Sequence, residues 1–359
     1  MFDLIKYIQM KKLSIIWVTI MTLFLCTTNA PAREYEATKE KRMGKHYNVQ
    51  FGDKLRINNT YGKVHINTWE KNEVSVDIVI TTKAKTDEKA EKLMDRIQID
   101  ERNEDHILSY RTDVNNTNVI NGNIEIDYTI NMPRKNPLEV MNKFGDVYLD
   151  NFDASLRMEV TYGALRTEKL IGPDVRIKVS FGSATIEHLE TGRINISYSK
   201  LTIEHAGEIE VVNKFGASDI TTVKKLQVDQ QYGDLDIETV DEITGDVQFG
   251  GLHINKLNKS ADMTLKYCGK ASINAGKDVD ALRVNGAFST MYFKFDKDAS
   301  LSADISTSFC DLKSGPYDMY SNSKDEPSDR NGRRYTGKIG AGKGTMRVYA
   351  SYGDVVFLK

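Results

Sequence analysis

An aromatic residue followed by a small one recurs along most of this chain at a nearly constant interval. That interval restricts the fold more than any other feature. With the aromatic as position zero, the phrase falls at Tyr162, Phe181, Tyr198, Phe215, Tyr232, Phe249 and Tyr267, with spacings of 19, 17, 17, 17, 17 and 18. Phe144 precedes the series by 18, Phe288 and Phe309 follow at 21 each, and Tyr61 and Tyr352 open outlying copies. Aligned this way, apolar residues fall into columns: Val147, Leu165, Leu201 and Leu235 at +3, Leu149, Ile186, Ile220 and Ile237 at +5. Phe152, Leu170, Leu189 and Val240 sit at +8, and Val140, Ile177, Ile194 and Val228 at −4.

Alternation with period two inside each phrase specifies strands, and a constant phrase length places each copy over the same part of its neighbour. A unit of 17 residues cannot bury its own apolar side, so it must stack on the units before and after it. The expected fold is all-β, a single-stranded parallel β-helix with about 17–21 residues per coil, right-handed because parallel crossovers are. A propeller blade needs roughly 40 residues or more, and a leucine-rich repeat needs a consensus that is absent here.

At the corner, the aromatic is expected to point inward with −2 and −4. The residue after it is Gly in eight phrases and Ser199, Cys268, Ser289 or Cys310 in the other four. Smallness common to all twelve indicates close packing more than a positive φ. Asn59, Asn142 and Asn213 at −2 are read as inward amides bonded to the corner backbone.

Residues 33–137 depart from the period and are read as an N-terminal cap with the first coil, closing an otherwise open strand edge. Within them, residues 87–97 read as a helix capped by Thr86 or Asp87, with Ala90, Leu93 and Ile97 on one face. Residues 138–359 form the repeat region, interrupted by a loop within 314–340 whose polar core is SNSKDEPSDRNGR. Residues 1–32 read as a secretory signal peptide: Lys11 and Lys12, an apolar run to Cys26, and the small-x-small site Ala30-Pro31-Ala32. No later stretch is apolar enough to span a bilayer. The formal net charge is −2, and the first 32 residues carry three lysines against one aspartate, so the remainder is near −4. Nucleic-acid binders show a basic block that this chain lacks.

Several groups invite chemistry. GKIGAGKGT at 337–345 approaches a phosphate loop, but Gly344 stands where Ser or Thr would hold magnesium and a strand-like run follows, so it reads as a glycine turn. Residues one coil apart lie about 4.8 Å from each other. His188 and His205 then become neighbours, each following a glutamate, and are weak candidates for a metal site. The plainer reading is a repeated solvated edge, and no metal or other cofactor is expected. Asp219, Asp236 and His253 share +4 on three consecutive coils with Asp234 nearby, and are the weak candidates for ligand binding or acid–base work. The alternative there is an exposed charged ladder. Asp146, Asp234, Asp311 and Asp354, all at +2, read as turn residues. Cys268 and Cys310 fall on one corner two coils apart, too far for a disulfide, and are expected as free thiols.

The export signal, the Tyr-Gly-led phrases and IEIDYTINMP running into LEVMNKFGDVYL resemble the "putative adhesin" family of exported Bacteroidetes-type β-helix proteins of unknown function. The resemblance covers roughly residues 55–357. It implies a β-helix and an adhesive role, and brings no catalytic residues. The resulting expectation is an exported structural or binding module, periplasmic or at the outer surface, that meets a glycan or an envelope protein. The alternative is a glycan-active lyase or hydrolase using the Asp/His patch.

Overall fold

The computed structural model describes residues 37–115, 122–321 and 332–359. Among the described residues it is all-β with one helix, and the twenty-six strands described form one open sheet. The signal segment lies outside the described residues, as do residues 322–331 of the polar insertion. No helix among the described residues is long and apolar enough to cross a membrane.

The repeats stack in parallel and in register. Ser183–Ser197, Lys200–Lys214, Ser218–Gln231, Leu235–Gln248 and Leu252–Lys266 are successive neighbours, with Ala184 against Leu201, Leu201 against Ser218 and Ser218 against Leu235. Each phrase therefore pairs residue for residue with the next, except that Leu252–Lys266 gains one residue in a bulge opposite Val240 and Glu242. The columns at +3, +5, +8 and −4 are buried, from Val140, Val147 and Leu149 through to Ile254 and Leu257. Each fully buried aliphatic side chain contributes on the order of 1.5–3 kcal/mol, and it does so only with a repeat on either side.

The corner differs from the sequence expectation. The aromatics point outward: eleven of them are 45–53 % exposed. All twelve have φ between 50° and 65°. One left-handed residue breaks the pleat, so −2 and +3 can both face inward although they lie five positions apart, and the aromatic is turned out. A left-handed non-glycine residue costs roughly 1–2 kcal/mol. Here the rings stack face to face in the order Tyr61, Phe144, Tyr162, Phe181, Tyr198, Phe215, Tyr232, Phe249, Tyr267, Phe288, Tyr352, Phe309, with centroids 4.7–5.2 Å apart. Each contact contributes about 0.5–1.5 kcal/mol beyond burial, which offsets much of that cost.

The glycine after each ring meets the expectation of close packing. A Cβ on Gly145, Gly163 or Gly233 would lie 1.9–2.1 Å from the carbonyl oxygen of the matching glycine one repeat earlier. The −2 amides also act as expected. The side-chain Nδ2 of Asn142 donates to Gly62 O at 3.0 Å and Gly145 O at 2.8 Å, and that of Asn213 donates to Gly216 O at 3.1 Å.

At both ends spatial order departs from chain order. Gly344–Ser351 inserts between Ala281–Ala287 and Leu301–Ser308, and Val355–Leu358 between Met291–Phe295 and Leu312–Lys313. At the other end Lys54–Thr60 lies between Ile107–Val114 and Leu138–Lys143, and Val64–Trp69 between Gly122–Pro133 and Val147–Leu149. Antiparallel strands then close each end. Glu73–Ala84 joins Gly122–Pro133 to Ala37–Asn48, Ile97–Glu104 covers Ile107–Val114, and Arg333–Ile339 covers Leu301–Ser308. The outer strands ATKEKRMGKHYN and IQIDERNE are charged, which disfavours edge-to-edge pairing with other chains.

The helix spans Asp87–Met94, shorter than expected because Ile97 begins a strand. Thr86 caps it, accepting the Lys89 N–H at 3.4 Å, and Ala90 and Leu93 are its buried residues. The GKIGAGKGT segment is a turn with Gly340 and Gly342 at positive φ, leading into the strand Gly344–Ser351.

Candidate functional site: a groove beside the aromatic ladder

The regular corner is disturbed once in mid-stack. Leu235 pairs with Leu252, but Leu252 pairs with Ala271, so the corner after Tyr267 carries one residue more than its neighbours. That residue bulges away from the stack: a Cβ on Gly269 would touch nothing within 4 Å. The adjoining corner is Gly250-Gly251 and presents no side chain. Between them opens a groove of about 800 Å³, lined by Asp234, Asp236, Phe249, His253, Tyr267 and Lys270 among others.

The +4 residues come together as the period implies. Asp219 pairs with Asp236, Asp236 with His253, and His253 with Ser272. Their surroundings separate them into different roles. Asp219 is held by Lys200, whose Nζ lies 2.6 Å from its carboxylate, and this hydrogen bond raises the Lys200 ammonium above its ordinary pKa. Asp234 accepts the Gly251 backbone N–H at 2.7 Å and supports the corner. Asp236 and His253 are exposed in the groove wall. Lys270 sits at its rim, with its ammonium 6.0 Å from the Tyr292 ring centroid. A carboxylate, an imidazole and an ammonium thus border one groove beside two aromatic edges. The arrangement can accept and donate hydrogen bonds to a hydroxyl-rich ligand.

The +2 aspartates act one repeat ahead. Asp146 accepts the Ala164 N–H at 2.8 Å, just as Asp234 accepts that of Gly251, and Asp354 accepts that of Asp311 at 3.1 Å. Asp311 and Asp354 are therefore neighbours, each on the corner next to the other.

His188 and His205 are register partners. His188 Nε2 approaches Glu190 at 3.2 Å, and Glu190 also faces Lys224 at 3.7 Å. The glutamate engaged is Glu190 and not Glu187, the one that sequence adjacency suggested. Among the described residues no three His, Cys, Asp or Glu side chains converge on a point that could hold a metal ion. Cys268 and Cys310 are both unbridged. The inserted Tyr352 repeat separates them by one repeat more than the sequence reading allowed, for their corner now runs Cys268, Ser289, Gly353, Cys310.

Sequence reasoning did not find Phe249, Tyr267, Gly269 or Lys270 as groove residues. The signal was present in the columns after Tyr267, where Ala271 and Ile273 fall at +4 and +6 in place of +3 and +5.

No protein-family model matches this chain, and no curated protein sequence matches it. Solved structures do align with 89 % of it. They include a putative adhesin from Parabacteroides merdae (10 % identity, 97 % of that chain, TM-score 0.33). A putative adhesin from Parabacteroides distasonis also aligns (11 % identity, 97 % of that chain, TM-score 0.32), as does a putative cell adhesion protein from Clostridium sporogenes (11 % identity, 99 % of that chain, TM-score 0.20). Coverage is nearly complete while the superpositions are poor.

Proposed function

We propose that this chain is an exported binding module of the cell envelope, a right-handed single-stranded β-helix that holds a glycan in the groove between Gly250-Gly251 and Gly269. Residues 33–137 would serve as its cap with the first coil and residues 138–359 as its repeats. The observation that carries this reading is the coincidence of the one mid-stack corner expansion with the one stretch where Asp236, His253 and Lys270 border the aromatic ladder. A flat parallel face is rigid, so side chains one coil apart keep a fixed spacing of about 4.8 Å, and a polyhydroxylated chain can meet them without ordering the protein first. The remainder after signal removal is acidic, which gives polyphosphate no electrostatic reason to bind.

The test is a glycan screen on the chain from Arg33, with reducing-end release measured in the same wells. Binding without turnover, weakened at least about tenfold by Asp236→Asn or Lys270→Met, is the expected result. The pairing of Asp236 with His253 in one wall favours a second reading, a glycan-active enzyme. Turnover abolished by Asp236→Asn would replace the binding module with that enzyme. Binding left intact by both substitutions would remove the groove from the function, as would capture of a protein ligand in place of any glycan.

A further inference from the structure

The aromatic ladder has a regularity that the repeats themselves do not require. In spatial order its twelve rings alternate Tyr and Phe without exception. In chain order the alternation fails, because Phe309 follows Phe288 directly; Tyr352, inserted between them, restores it. The pattern therefore follows the surface and not the history of the repeats.

That surface is apolar and large. Eleven of the rings are about half exposed, which leaves on the order of 100 Å² each and roughly 1,000 Å² together. The largest apolar patch on a monomer is usually about 300–600 Å², whereas a stable interface takes about 800 Å² from each partner. The ring faces cover one another, so only edges are offered. Sugar rings stack on aromatic faces, and that mode is closed here. An unbroken strip of ring edges is matched in length and period by a second copy of itself.

We propose that two copies of this chain dimerise antiparallel along their aromatic ladders, about a two-fold axis that crosses between Phe215 and Tyr232. With twelve alternating rings, Tyr at one end and Phe at the other, the antiparallel arrangement sets every Tyr against a Phe. Parallel pairing would set hydroxyl against hydroxyl. The flanks agree. Lys143, Lys214 and Lys266, each preceding a ladder ring, face Ser351, Gln231 and Ser180 of the second copy, so no two lysines oppose. Lys63 faces Asp311. Asp146 and Asp354 also face each other, but both already accept backbone N–H groups of their own chain. This inference does not rest on the proposed glycan groove.

Sedimentation of the chain from Arg33 tests it. A dimer is expected, weakened about a hundredfold by Phe215→Asp or by Tyr232→Lys, since each breaks the apolar contact at the axis with desolvated or like charges. The double variant Phe215→Asp/Tyr232→Lys places each acid against a base across the axis and restores association. Circular dichroism and thermal melting confirm that each variant is folded. If a ring substitution unfolds the chain, Lys63→Glu supplies the same test from the flank, with rescue by Lys63→Glu/Asp311→Lys. A monomer at all concentrations overturns the proposal, as does a dimer indifferent to these changes. Monomers that co-sediment with insoluble polysaccharide or phospholipid vesicles, and lose this with Phe215→Asp, would assign the ladder to that partner instead.

Discussion

Tyr352 stacks on Phe288 with centroids 4.7 Å apart and ring planes 4° apart, although the whole Phe309 repeat lies between them in the chain. The C-terminal repeat is thus an interior layer. The strand Gly344–Ser351 has a parallel neighbour on each side, and Val348 is fully buried between them.

Val348→Asp should therefore destabilise two layers at once, by roughly 3–5 kcal/mol, because it leaves an unpaired charge in an apolar site. Hydrogen exchange should rise in both Ala281–Ala287 and Leu301–Ser308. Exchange that rises only in the C-terminal strand would show that the insertion carries no load.

Two glycine substitutions separate close approach from backbone freedom. Gly233→Ala puts a Cβ 2.1 Å from Gly216 O, whereas Gly269→Ala meets nothing within 4 Å. The first should lower stability by about 2–4 kcal/mol and the second by less than about 0.5 kcal/mol. Denaturant midpoints measure both, and equal effects would contradict the corner geometry.

The thiols should differ in rate. Cys268 is buried, and burial pushes its thiol pKa up, while Cys310 is half-buried. Labelling of the chain from Arg33 should modify Cys310 first and reach two thiols only on unfolding. Cys268 reacting first would be inconsistent with the stack.

Acid should loosen the C-terminal cover before the repeats. Arg334 grips Asp304 with bonds of 2.8 and 2.7 Å and holds its carboxyl below the ordinary range, joining Arg333–Ile339 to Leu301–Ser308. A depressed folded pKa contributes stability that is present above the unfolded value of about 3.9 and is lost as pH falls through the folded one. Solvent screening keeps the contribution small. Exchange at Arg333–Ile339, corrected for its intrinsic pH dependence, should rise below about pH 4 in the native chain and lose that transition in Asp304→Asn. A pH-independent edge would refute the pairing.

Mid-stack burial also tests the register read from the columns. Leu201 and Ile237 are buried as expected, and Leu201→Asp or Ile237→Asp should each lower the melting temperature of several repeats together. An unchanged melting temperature would place these residues outside the core.

The sequence by itself determined the strands, their parallel register and the identity of the core, because a period of 17 and an alternation of two leave one way to bury Val140, Leu201 and Ile254 together. It also determined the small corner residue and the inward asparagines, whose need is local. It brought Asp219, Asp236 and His253 into one row for the same reason. It did not decide which way the rings face, since a single left-handed residue reverses the pleat and one letter cannot reveal its own φ. Nor did it decide where the terminal repeats lie. Tyr352 could sit beyond Phe309 with the same local pattern, and only the tertiary structure, by pairing both edges of its strands, places it inside. The groove likewise arises where two corners of different length meet, and its shape belongs to that meeting and to neither corner alone.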